Sequence, residues 1–289
     1  QALNATGSGT RYDVGGGNHF ASELNGVPWQ SLQPGDVVNI YYRETPYRHK
    51  VLLSEQGTAA DPIVINGVTN ANGNRPTISA QDAVSINPQE WDSDYRMTLI
   101  MINKRHSSGT YGVNAEHYLI QNLRLADARP TNSFTHNGVT ENYLGFSRAM
   151  WSAGGQYITL QGMVIENNGS GVFIQANDDP GSLSKTWTIR GSKFENNGHG
   201  NRDHQVYFQA ISEPGEYNIV EGCYFGSPTP GQESIAQLKM RATGVVVRYN
   251  YFNSAHRTLD IVEAQDAIPD WMFSHYSQQE ILNYYRTSY

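Results

Sequence analysis

Apolar and polar positions recur along this chain in one six-residue phrase: apolar, polar, small or turn-prone, two variable residues, large apolar. The copies are Ile120-Gln121-Asn122-Leu123-Arg124-Leu125, then Leu160 to Ile165, Ile189 to Phe194, Val220 to Phe225 and Val247 to Phe252. Their starts lie 40, 29, 31 and 27 residues apart. Units of that length cannot bury a core alone, so the pattern predicts stacked repeats with insertions at loops. A second strand follows each phrase after a short turn: Gly171 to Gln175, Gln205 to Gln209, Ile235 to Lys239 and Thr258 to Val262. Period-two alternation points Val172, Ile174, Val206, Phe208, Leu259 and Ile261 inward. It leaves Phe173, Gln175, Tyr207, Gln209, Gln237, Lys239 and Asp260 outward. The turns Glu166-Asn167-Asn168-Gly169 and Glu195-Asn196-Asn197-Gly198 are nearly identical, and stacked asparagines there would hydrogen-bond from rung to rung.

The same pattern organises the rest of the chain as one elongated domain over residues 1–289. Residues 1–60 read as an N-terminal cap and first strands, residues 61–264 as stacked rungs and residues 265–289 as a C-terminal segment. Within the first stretch, Leu32-Gln33-Pro34-Gly35-Asp36 is a turn before the alternating strand Val37 to Tyr42. The segment Tyr276 to Tyr289 reads as a helical cap unless the solenoid continues beyond it. Open solenoid ends would allow subunits to stack end to end.

Composition narrows the function classes. The chain has 28 glycines and only 16% charged residues, which fits a turn-rich β architecture. No apolar run approaches the roughly 18 residues of a membrane span. A net charge of −7 without a basic stretch argues against nucleic acid as a partner. The single cysteine, Cys223, sits beside large aromatics and reads as a buried inert thiol, so no disulfide framework exists. A chain starting at Gln1 fits a processed, secreted or cell-surface protein, and scarce cysteine fits bacterial export. Asn4-Ala5-Thr6 and Asn168-Gly169-Ser170 match the short glycosylation acceptor pattern, which often occurs by chance.

The Pro-Gly-Asp turn before a strand, the Asn-Asn-Gly turns and the phrase Val247 to Phe252 resemble the secreted right-handed parallel β-helix proteins of the pectin-lyase-like superfamily. The resemblance implies an all-β, right-handed parallel β-helix with an N-terminal cap. Within that group, Glu233-Ser234-Ile235-Ala236-Gln237-Leu238-Lys239 and Arg248 to Phe252 are similar to the part of alginate lyases and chondroitinase B that carries an acidic calcium ligand and a lysine base. Those lyases place the glutamate five residues before the lysine, whereas Glu233 and Lys239 are six apart. Their catalytic arginine lies on the next second strand, which here carries acids, with Arg257 at its turn. The stretch Ala255 to Asp266 is closer to uncharacterised bacterial β-helix proteins.

Cleavage of a uronate glycan by β-elimination must neutralise the substrate carboxylate, remove the C5 proton and protonate the leaving oxygen. The candidate catalytic residues are Lys239, Arg257, His204 and Tyr207. Gln209, Gln237, Arg241 and Arg202 are candidate substrate contacts. Glu233, Asp260 and Glu263 could form a calcium cage, since calcium takes six to eight oxygen ligands. The bland readings remain beside these: Lys239 as an exposed lysine on a sheet face, and His204 as a sugar contact or a solvated loop residue. The expected partner is an acidic polysaccharide. A uronate C5-epimerase, a glycoside hydrolase using Asp260 and Glu263, and a non-catalytic filament-forming protein are the alternatives.

Overall fold

The computed structural model describes residues 8–91, 93–103, 114–176, 183–200, 203–212, 215–232, 235–253, 257–262, 274 and 276–280. Of the residues singled out above, Arg202, Glu233 and Glu263 lie outside this set, as does nearly all of the C-terminal segment.

Three sheets run along the coil. The first has strand order Arg11–Val14, Val37–Tyr41, Ile63–Val68, Glu116–Gln121, Gln156–Gln161, Lys185–Arg190, Asn218–Glu221 and Val245–Arg248. The second runs from His49–Leu53 through Thr98–Ile102, Arg148–Ala153, Ser170–Gln175, His204–Phe208 and Ala236–Met240 to Arg257–Ile261. The third contains Thr77–Ser79, Arg124–Ala126, Val164–Glu166, Lys193–Glu195, Tyr224–Phe225 and Tyr251–Phe252. One complete rung is therefore Lys185–Arg190, Lys193–Glu195 and His204–Phe208, before the chain returns to the first sheet at Asn218–Glu221. Neighbouring strands within these rungs are parallel.

The six-residue phrase is one corner of that coil. Its first position stacks in register as Ile120, Leu160, Ile189, Val220 and Val247. Its last position stacks as Leu125, Ile165, Phe194, Phe225 and Phe252. All except Val247 and Phe252, on the last described rung, are buried. The Phe194, Phe225 and Phe252 rings stack at centroid distances of 5.1 and 4.7 Å. The third position needs a left-handed backbone: φ is 58° at Asn122, 61° at Gly162, 55° at Gly191, 60° at Gly222 and 57° at Tyr249. Glycine and asparagine take this conformation most readily, which explains the small or turn-prone residue in the template.

The opposite corner uses the asparagine turns. Asn168 Nδ2 donates to Asn197 Oδ1 (2.9 Å), and the Ala128 N–H donates to Asn168 Oδ1 (2.9 Å). Asn196 Nδ2 donates to Asn167 Oδ1 on the neighbouring rung. The expected ladder is present, and it satisfies buried backbone groups that a turn would otherwise orphan.

Two expectations about facing need correction. Gln237 is 0% exposed: its Nε2 donates to the carbonyls of Phe225 (3.0 Å), Gly226 (2.7 Å) and Asn253 (3.1 Å). These three bonds hold the side chain away from solvent. Leu259 and Ile261 keep register with Leu238 and Met240, yet are 41% and 71% exposed, because no described strand follows them.

The insertion that lengthens the first repeat spacing forms an antiparallel hairpin, Ser133–His136 with Val139–Asn142, against the strand Ala83–Ser85. Beneath it Lys50 is fully buried, its Nζ over the rings of Phe134 (3.7 Å) and Tyr143 (4.6 Å) and donating to the Tyr95 carbonyl (2.6 Å). Burial pushes this ammonium well below the ordinary lysine range, while Glu141 opposes the shift.

Candidate active site

Residues roughly 30 apart in sequence become neighbours on the outer face of the second sheet. The outward row holds Met101, Trp151, Phe173, Tyr207, Lys239 and Asp260. Three positions earlier on the same strands, a second row set by register holds Arg148, Ser170, His204, Ala236 and Arg257, of which Ser170, His204 and Ala236 are buried. Trp151 is on a strand and nearly buried, and Trp187 is core.

The outward row is an aromatic track that ends in charge. Trp151 and Phe173 stack at 6.3 Å, and Phe173 and Tyr207 at 4.9 Å. Arg148 lies over Phe173 and Trp151, with its guanidinium carbon 4.7 and 5.3 Å from the ring centres. Lys239 Nζ is 5.1 Å from the Tyr207 ring centre, within cation–π range. The described residues of these rows, with Arg241 beyond them, carry four cations, namely Arg148, Lys239, Arg241 and Arg257. Facing them among the described acids are Asp260, bonded to Arg257 (3.3 Å), and the buried Asp203. Among the described residues, cations outnumber acids on this face, although the chain as a whole has a net charge of −7.

Lys239 titrates below the ordinary lysine value. Partial burial is the main cause; Asp260 pulls it back up, and Arg241 and Arg257 push it further down. Tyr207 is oriented by Gln209, whose Nε2 donates to the phenolic oxygen (3.0 Å). Having accepted that bond, the phenol can direct its own proton elsewhere. His204 meets Tyr207 edge-on, with ring centres 5.4 Å apart. Its Nδ1 accepts the Ala236 N–H (3.2 Å), so in the neutral ring the proton is on Nε2. Burial first, then Lys239 and Arg257, lower its pKa to about 3. His204 is thus a neutral hydrogen-bond donor at working pH, with one lone pair already used, and is poorly suited to act as a base.

Asp203 shapes the loop before His204. Its carboxylate accepts the N–H groups of His199 (3.0 Å) and Gly200 (2.9 Å) and the Ser170 hydroxyl (3.2 Å). Burial raises its pKa against the pull of those bonds. Cys223 is buried on another wall, and its thiol is pushed up to about 11 by desolvation, which fits an inert role.

The structure brings together Lys239, Tyr207, His204, Gln209, Arg257 and Asp260, and removes Gln237 from the surface. Arg148 and Phe173 are the members that motif reasoning did not select as site residues. Alternation did place Phe173 outward; Arg148 carried no sequence signal beyond lying upstream of Trp151. Of the three residues expected to hold calcium, Glu233 and Glu263 lie outside the described residues, and Asp260 is bonded to Arg257 (3.3 Å).

No protein-family profile matches the chain, and no curated protein matches it in sequence. Solved structures do match. A GH136 lacto-N-biosidase from Eubacterium ramulus aligns over 88% of this chain and 58% of its own, with TM-score 0.51 and 15% identity. The chain has the parallel β-helix fold of that enzyme. An alginate lyase from a Paenibacillus species aligns over 78% of this chain and 71% of its own (TM-score 0.48, 13% identity). Pectate lyase Pel9A aligns over 92% and 80% (TM-score 0.44, 12% identity). This chain thus spans little more than half of the lacto-N-biosidase's length.

Proposed function

We propose that the protein acts on an acidic, uronate-containing polysaccharide and cleaves it by β-elimination. The observation that carries this reading is the outer face of the second sheet, where an aromatic track runs into a cluster of cations on an otherwise acidic chain. The stacked rings present their edges to the solvent as an apolar strip beside the cations, which suits a sugar chain carrying carboxylates. Likeness to the lacto-N-biosidase agrees with a carbohydrate ligand, but a shared fold does not assign a reaction.

In this reading Lys239, in its neutral form, takes the C5 proton. The C5–H electrons form the C4–C5 double bond as the C4–oxygen bond breaks, and the Tyr207 hydroxyl protonates the departing oxygen. Arg257 and Arg241 balance the substrate carboxylate as charge develops, and His204 donates a hydrogen bond from Nε2. A glycosidase would need two carboxyl groups across the bond. Asp260 is bonded to Arg257 and Asp203 is enclosed by its loop, so the described acids do not favour that chemistry.

The test is incubation with a panel of uronate polymers, read by ultraviolet absorbance of the unsaturated product. Product formed by the wild type and not by Lys239→Ala supports the reading. No product from any polymer, with end-to-end assembly of the protein, would favour the filament-forming alternative.

A further inference from the structure

We propose a second glycan-binding subsite for an anionic sugar, at the corner between the first and third sheets. It rests on the proposed glycan ligand for its sugar class but uses none of the residues of the Lys239 face. The coil body separates the two, because this corner lies across the rung from the second sheet.

The left-handed corner positions form its floor. Gly162, Gly191 and Gly222 stack there, and a side-chain carbon added at Gly191 would meet nothing within 4 Å. A cavity of about 510 Å³ opens over them, lined by Asn122, Gln161, Arg190, Glu221 and Tyr249 as well as the glycines. That is room for one or two sugar rings on an exposed backbone shelf.

Three further observations point to the kind of ligand. Arg190 projects from the wall between Gln161 and Glu221 in register, and its Nε is buried without a hydrogen-bond partner. Glu221 does not neutralise it, since that carboxylate is bonded to Arg248 (2.8 Å) on the next rung. Amide bonds run along the same wall from Asn39 to Asp13, Asn66 to Asn39 and Gln121 to Asn66. The run stops at Gln121, whose buried Oε1 has no partner beside Gln161. The end of the shelf carries Tyr249, in a left-handed conformation where the other rungs use glycine or asparagine; on the last described rung it is 84% exposed, with the Arg248 guanidinium carbon 5.7 Å from its ring centre. A glycine floor with an arginine whose Nε has no partner, and an aromatic two rungs on, fits a short anionic sugar chain laid along the shelf with a carboxylate toward Arg190 and a ring toward Tyr249.

The experiment uses Lys239→Ala/Arg241→Gln/Arg257→Gln protein, which removes the cations assigned to the substrate carboxylate on the first face, and measures binding of uronate oligosaccharides and neutral oligosaccharides of equal length by calorimetry. Residual uronate binding is expected, weakened roughly tenfold to hundredfold by Arg190→Gln, the scale of losing a charged hydrogen bond. Gly191→Asn, which keeps a residue tolerant of the left-handed region while filling the floor, should weaken it as well. Residual binding that Arg190→Gln and Gly191→Asn leave unchanged, equal binding of neutral oligosaccharides, or no residual binding would overturn the proposal. Wild-type turnover without an Arg190-dependent subsite would leave the lyase reading standing, and Arg190-dependent binding without turnover would leave the subsite standing.

Discussion

Replacing Asn197 with alanine should remove more stability than any single contact in the ladder suggests. Asn197 is fully buried and makes four hydrogen bonds. Its Oδ1 accepts the Asn168 N–H (3.1 Å) and Asn168 Nδ2 (2.9 Å), while its Nδ2 donates to the Ile165 carbonyl (2.9 Å) and Gln205 Oε1 (2.7 Å). Asn168 Nδ2 retains the Glu166 carbonyl (2.8 Å) and the Ile165 carbonyl keeps its place in the strand ladder with Lys193–Glu195, so alanine orphans two groups, the Asn168 N–H and Gln205 Oε1. At roughly 1–2 kcal/mol for each buried unsatisfied group, the loss is about 2–4 kcal/mol, the lower end applying if water fills the space. Asn197→Asp should be worse, because it keeps the acceptor but turns a negative oxygen toward two acceptors. Urea unfolding followed by circular dichroism gives the global change. Amide hydrogen exchange at Asn168 and Gln205 gives the local one, which matters because stacked repeats can open separately. A loss below about 1 kcal/mol, with unchanged protection at both amides, would refute the claim that the ladder holds this corner.

The remaining predictions concern the outer face. Lys239→Ala should lower turnover on a uronate polymer by about two to four orders of magnitude, the scale of losing a general base, with an unchanged unfolding curve; full activity would exclude the lysine as base. Activity should rise with pH as Lys239 loses its proton, along a limb below the ordinary lysine value, and Asp260→Asn should move that limb lower because Asp260 raises the lysine pKa; an upward move would contradict the assignment. His204 has a native pKa of about 3 against 6.5 for a free ring, so the unfolded chain binds the extra proton between those values and stability should fall as pH drops through that window. His204→Gln should flatten this slope in acid-unfolding curves, and an unchanged slope would show that the ring is not held neutral.

The sequence by itself determined the coil. A repeated phrase whose first and last residues are apolar can bury both only by stacking, and its third position had to be glycine, asparagine or a strained residue because the corner is left-handed. The same local rules predicted the asparagine ladder and the inward faces of Val172, Ile174, Val206 and Phe208, all of which are buried. They failed at Gln237, because alternation does not see the carbonyls of Phe225, Gly226 and Asn253, brought from other strands and turns, that draw its amide inward. They also could not separate His204 as base from His204 as donor, since that depends on the Ala236 N–H from the next rung. The charged aromatic row was only half legible. Phe173, Tyr207 and Lys239 each followed from alternation, but their meeting with Arg148 and Trp151 depends on rung register, and register is decided by loop lengths and corner packing that no single repeat encodes.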